Sequence, residues 1–119
     1  MKIAVIDDST FSRNQIKKAL TEWNQHIEVV QFPEGSSALE FLKSNKVDLI
    51  TLDLVMPSPS GFDVLAKLRE WGVKSPIVII SADIQDGSKR KCIELGCDGF
   101  LEKPINAKSV QHMMERLWP

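Results

Sequence analysis

The feature that most restricts what this chain can fold into is a regular alternation: five short apolar runs are separated by segments whose apolar residues repeat at helical spacing. The runs are KIAVI (2–6), IEVVQF (27–32), DLITL (48–52), PIVII (76–80) and GFL (99–101). Strands spaced this way cannot all be joined by tight hairpins, and helical crossovers lead instead to a parallel sheet covered on both faces. The expected class is therefore α/β, a doubly wound five-stranded sheet. The first, third and fourth runs are almost wholly apolar and rich in Val and Ile, as strands buried on both sides must be, so they take the centre. In the intervening segments Ile16, Ala19, Leu20 and Trp23 repeat as i, i+3, i+4, i+7, and Val110, Met113, Met114 and Leu117 do the same. Ala38, Phe41 and Leu42 mark a second helix, Leu65, Leu68 and Trp71 a third, and Cys92 with Leu95 a weaker fourth. These Met and Trp stripes read as ordinary core. Gly72 and Gly96 stand where helix ends need a left-handed residue.

Composition narrows the function classes. With 119 residues, 43% hydrophobic and 26% charged, the chain reads as one compact domain spanning 1–119, with no stretch left over for an output domain. A net charge of −1 argues against a dedicated nucleic-acid binder, which needs a strongly basic stripe. The longest apolar stretches are strand-sized, far short of the ~20 residues that span a bilayer, so no membrane association is expected. A strand-like run follows Met1 directly, without a signal-peptide pattern, and the expected location is cytoplasmic. Cys92 and Cys97 are too few for a disulfide scaffold or a four-ligand zinc site and read as reduced packing residues. His26 and His112 lack ligand spacing and read as surface or packing residues.

In an open parallel sheet, ligands bind beyond the carboxyl ends of the strands, near the point where the winding reverses. At those ends stand Asp7 and Asp8 after the first strand, Asp53 after the third, Ser81 after the fourth and Lys103 after the fifth. Two like charges about 4 Å apart repel by roughly 4 kcal/mol at an effective dielectric of 20, so three carboxylates need a counter-charge. A hard divalent cation is the natural one, and Mg²⁺ takes one or two carboxylates, waters and phosphate oxygens. Beside such an ion Asp53 can act as a nucleophile toward phosphorus, with Lys103 and the metal neutralising the incoming phosphoryl oxygens. Asp48 and Asp63 lie near the same strand, but one precedes it and the other falls in the next helix, so they read as capping or solvated groups.

Four pieces, VIDDS (5–9), LDLVMPSPSG (52–61), ISA (80–82) and EKP (102–104), make the whole chain resemble the receiver domain of two-component response regulators, of the stand-alone chemotaxis type. The resemblance implies the flavodoxin-like (βα)5 fold with strand order 2-1-3-4-5. It implies that Asp53 is the phosphoacceptor, that Asp8, Asp53 and the backbone carbonyl of Val55 bind Mg²⁺ directly, with Mn²⁺ able to substitute, and that Asp7 acts through a metal-bound water. Ser81 would contact a phosphoryl oxygen, small Ala82 would leave it accessible, Lys103 would pair with phosphate, and the Lys103–Pro104 bond would be cis. Phe100 would be the aromatic switch residue.

Two departures stand out. Phe100 stands where the family usually has Tyr or another aromatic and carries no hydroxyl, and Ser81 replaces the commoner Thr, leaving a freer side chain. The resemblance implies a phosphoacceptor switch rather than a turnover enzyme, fed by a sensor histidine kinase or phosphotransfer protein. Its output would be a downstream protein docked on the face of helix 4, strand 5 and helix 5, or onward phosphotransfer, with the domain a monomer or weak dimer. The cluster Lys89, Arg90, Lys91 reads as a solvated face, with an acidic partner there as the sharper alternative. Three other readings remain open: a phosphohydrolase with an aspartyl nucleophile, a flavin-binding carrier, and a receiver-like module working without phosphate. The first would need DxD where Asp7 and Asp8 are adjacent, and the acids of DDSTFS would repel a flavin phosphate.

Overall fold

A computed structural model describes all residues, 1–119, and contains five strands and five helices in strict alternation. In chain order they are β1 (Lys2–Ile6), α1 (Thr10–Trp23), β2 (Glu28–Phe32), α2 (Gly35–Leu42), β3 (Leu49–Leu52), α3 (Gly61–Glu70), β4 (Ile77–Ser81), α4 (Asp86–Leu95), β5 (Gly99–Glu102) and α5 (Ala107–Leu117). All pairings are parallel and the order is β2-β1-β3-β4-β5, as the resemblance implied. Burial follows the expected ranking. Every residue of β3 and β4 is buried, as are four of the five in β1, while the edge strands β2 and β5 are mostly half-exposed.

Strand alternation sends side chains to two cores. Ala4, Ile6, Ile50, Leu52, Ile77 and Ile79 pack toward α2, α3 and α4, whereas Ile3, Val5, Leu49, Val78 and Ile80 pack toward α1 and α5. The helical stripes fill the remaining space: Ile16, Ala19 and Leu20 from α1 meet Val110, Met113 and Met114 from α5. The helix ends follow local chemistry. Ser9 caps α1, Ser60 and Asp63 form a reciprocal capping box on α3, and Gly96 ends α4 in the left-handed region at φ 102°. Gly72 likewise has φ 79° just beyond α3. Asp48 accepts the backbone N–H of Lys2 at the start of β1 at 2.7 Å and Asp63 belongs to the capping box of α3; both of these extra aspartates near β3 are exposed.

Two features differ from the sequence reading, those of Trp71 and of the basic cluster, and the expected faintness of α4 has a structural reason. Trp71 continues the α3 stripe in register but forms the helix's C-cap and stays 39% exposed, with the Lys43 ammonium 5.7 Å from its ring centre. The helix ends at Glu70, so the last member of the stripe falls on its cap. Helix α4 gave a weak signal because it buries only Cys92; its outer surface is polar. The basic cluster on α4 is not one face, since Lys91 lies 4.4 Å over the Phe62 ring of α3 and Lys89 lies 5.9 Å over Phe100 of β5. Neighbours on a helix are about 100° apart, so consecutive cations diverge. No helix is long and apolar enough to cross a membrane.

Candidate functional site

The strand order places the winding reversal between β1 and β3, and the acids come together there. Asp7 follows β1 and Asp53 follows β3; the Asp53 N–H continues the ladder by donating to the Ile6 carbonyl at 3.0 Å. One ligand oxygen from each of Asp7, Asp8 and Asp53 lies within 4.8 Å of the others. Asp7 and Asp53 are buried, at 1% and 5% exposure, and Asp8 is exposed at the rim. Backbone alternation accounts for part of this convergence. Ile3 and Val5 lead to Asp7, Leu49 and Thr51 to Asp53, and Leu101 to Lys103, all on the α1/α5 side of the sheet.

Lys103 is the only cation paired with the cluster. Its Nζ is 2.7 Å from Asp7 Oδ2 and 3.4 Å from Asp53 Oδ2. Burial by itself would lower the lysine's pKa, but the two carboxylates outweigh it and hold the group above the ordinary lysine range. One ammonium leaves three carboxylates with excess negative charge. Asp7 Oδ1 accepts the Ser9 N–H at 2.9 Å, whereas Oδ2 has only the Lys103 contact, which lies off the hydrogen-bonding direction, and no other donor. A buried carboxylate oxygen with spare acceptor capacity, two further carboxylates and nearby backbone carbonyls form an all-oxygen donor set. That set fits a hard divalent cation and would not suit a soft one.

Beside the acids lies a depression of about 410 Å³ lined by Asp53, Val55, Ser81, Ala82, Asp83, Gln85 and Lys103. Ser81 is fully buried; its Oγ accepts the Asp83 N–H at 3.2 Å. Ala82 is exposed and Val55 is 62% exposed, so the mouth is open. Asp53 Oδ1 accepts the Val55 N–H at 3.4 Å. Phe100 is half-buried against the α2–α4 core; it pairs with Ile79 across the sheet, two residues from Ser81 on the same face. Thus Asp7, Asp8, Asp53 and Lys103 form the cluster, Val55, Ser81 and Ala82 line its mouth, and Phe100 stands apart. The Lys103–Pro104 bond is cis, as the resemblance implied, and so is Ser58–Pro59.

Outside the site, both cysteines are free thiols. Burial, with lesser help from Cys97, pushes Cys92 up to about 11, and burial raises Cys97.

Two residues that hold the site escaped the sequence reading. A methyl group on Gly61 would collide with the Asp53 carbonyl oxygen and come within 2.6 Å of Leu54 Cα, while the Gly61 N–H donates to the Leu54 carbonyl at 3.1 Å. The start of α3 is thus docked directly on the backbone that carries Asp53, which only glycine allows. Its signal was its place at the end of LDLVMPSPSG. The other is Arg13, whose Nη1 donates to the Asp7 carbonyl at 2.7 Å; its signal was a cation in the first turn of a helix.

Comparison with known proteins gives the same assignment. The sequence matches the response regulator receiver domain family over residues 3–115. The chemotaxis protein CheY of Halobacterium salinarum is 29% identical over 92% of this chain and 89% of its own length. The transcriptional regulatory protein DltR of Streptococcus agalactiae is 29% identical over 90% of this chain, which spans only 47% of that longer protein. Among solved structures, chemotaxis protein CheY4 of Vibrio cholerae superposes with a TM-score of 0.88 at 25% identity, covering 97% of this chain and 96% of its own. From the strand order, the site and these relatives together, the chain belongs to the response regulator receiver domain family of two-component signalling.

Proposed function

We propose that this domain is a phosphorylation switch in which Asp53 accepts a phosphoryl group from a phosphohistidine on a sensor histidine kinase or phosphotransfer protein. The observation that carries the reading is the meeting of three carboxylates within 4.8 Å, at the winding reversal, beside a single paired lysine. Asp8, Asp53 and the Val55 carbonyl would hold Mg²⁺, and Asp7 would act through a water. When bound, the ion supplies charge neutralisation for the carboxylates and the phosphoryl oxygens.

The chain's own groups do the rest. A carboxylate oxygen of Asp53 forms an O–P bond as the donor's N–P bond breaks, and the bonding pair leaves on the imidazole nitrogen. Lys103, held charged by its carboxylate neighbours, exchanges part of that pairing for a phosphoryl oxygen. Ser81 has a hydroxyl that accepts from Asp83 N–H and whose own proton is free to donate to phosphate. Moving Ser81 toward phosphate vacates space on the face where Phe100 stands, and that shift is the signal. Hydrolysis of the aspartyl phosphate by water through the open mouth resets the switch, which makes the domain a signalling element rather than a turnover enzyme. The output is a protein docked on α4, β5 and α5, or phosphate passed onward.

The test is labelling with acetyl phosphate in the presence of Mg²⁺. The wild type takes one hydroxylamine-sensitive phosphoryl group, and both EDTA and Asp53→Asn abolish it. Full labelling of Asp53→Asn, or multiple turnover on a phosphomonoester, overturns the proposal. Binding a partner equally well with and without a beryllofluoride phosphate mimic would instead favour the phosphate-independent module.

A further inference from the structure

Helix α1 begins against its own electrostatics. Its first turn contains no acid, and the first residue to close a helical backbone bond is a cation: the Arg13 N–H donates to the Ser9 carbonyl at 2.9 Å. A positive charge at a helix N-terminus typically costs about 0.3–1 kcal/mol, so this arginine must recover that cost elsewhere. It does so through a tripod. Nη1 donates to the Asp7 carbonyl at 2.7 Å, Nε to Gln31 Oε1 of β2 at 3.2 Å, and Nη2 to Thr10 Oγ1 at 3.1 Å.

The Asp7 carbonyl is the telling partner. The Asp7 N–H still has a strand neighbour, the Phe32 carbonyl at 3.1 Å, and the Ile6 carbonyl is taken by the Asp53 N–H. Beyond that point β1 has run off the ladder, and the Asp7 carbonyl belongs to a residue only 1% exposed. Without Arg13 that carbonyl has no protein donor and the turn carrying Asp7, Asp8 and Ser9 loses its anchor to the helix and to β2. We propose that Arg13 is a positioning residue: its guanidinium stands in for the missing strand neighbour of Asp7 and fixes the two acids of the β1–α1 turn for the divalent cation. This inference rests on the proposed phosphorylation site.

The sign of one measurement separates this role from a purely electrostatic one. Removing a positive charge near a cation site strengthens cation binding if charge is all that matters; releasing the turn weakens it. In Arg13→Met, and also in Arg13→Lys, which keeps the charge but lacks the planar fork, Mg²⁺ dissociation constants from calorimetry are expected to rise at least fivefold. In the absence of metal, hydrogen exchange at the amides of Asp8 and Ser9 should speed up at least tenfold, while amides of β3 and β4 keep their protection. Unchanged or tighter Mg²⁺ binding in both variants overturns the proposal, as does faster exchange spread evenly over the domain, which would mark Arg13 as a general fold stabiliser. Failure of the wild type itself to bind Mg²⁺ would refute the phosphorylation reading instead, and the metal-free exchange pattern would still judge the anchor.

Discussion

If the three acids are gathered for a cation, they must repel one another without it, and Asp8→Asn should stabilise the metal-free protein. Asp8 is the informative choice because its side chain is exposed and makes no hydrogen bond or ion pair, so the substitution removes a charge and no contact. At the limiting separation of 4.8 Å, a pair of carboxylates repels by about 3.5 kcal/mol at an effective dielectric of 20 and by about 0.9 kcal/mol at that of water. Exposure puts Asp8 near the lower figure, and it faces two partners, so the relief is about 1–2 kcal/mol. For a 119-residue domain the unfolding entropy is about 0.25 kcal/mol per degree, which converts this to a Tm rise of about 4–8 °C. Calorimetry in EDTA at low ionic strength reads it. Adding Mg²⁺ should then reverse the ranking, since ligand linkage stabilises the wild type and much less the variant. An Asp8→Asn Tm equal to or below that of the wild type in EDTA would refute the idea that these carboxylates are held in electrostatic tension.

Three further outcomes follow from particular contacts. Thr51 is 1% exposed and its hydroxyl has no partner, so Thr51→Val should raise stability by about 1 kcal/mol in urea titration; a loss would mean that the hydroxyl is satisfied. Gly61→Ala drives a methyl into the Asp53 backbone and should cost at least about 2 kcal/mol and slow acetyl phosphate labelling; a wild-type Tm and rate would contradict the close approach. Cys92 is an acid whose folded pKa is raised to about 11, so the folded state holds its proton longer than the unfolded state does. Its contribution is therefore complete below pH 9 and declines between pH 9 and 11 by about 2 kcal/mol. The wild type should lose that much more than Cys92→Val over the window, and parallel alkaline curves would refute the assignment.

The sheet was legible because burial on both faces leaves a nearly unmixed signal: IAVI, LITL and IVII are buried at successive positions and apolar at all but Thr51, and only central strands are so covered. Edge strands and the polar helix α4 were fainter, since a half-solvated element writes its pattern with few residues. The acid cluster was legible for a topological reason, as residues at the carboxyl ends of β1 and β3 must meet where the winding reverses. What supports the site was harder to read. Gly61 depends on a backbone approach, Arg13 on a carbonyl that outruns its ladder, and the division of Lys89 from Lys91 on which aromatic rings lie on each side. Such facts belong to three-dimensional packing and leave no period in a sequence.

Under the proposed function, Asp7, Asp8 and Asp53 share one divalent cation. Mn²⁺ broadens nearby resonances through its unpaired electrons, so an amide NMR titration of the whole domain with this ion locates a shared cation site residue by residue. Broadening at low Mn²⁺ is expected to begin at the amides of residues 7–9, 53–55 and 103, and Asp53→Asn to weaken it. Broadening that begins elsewhere, for example around Asp83 and Asp86, or no localised effect, would contradict it.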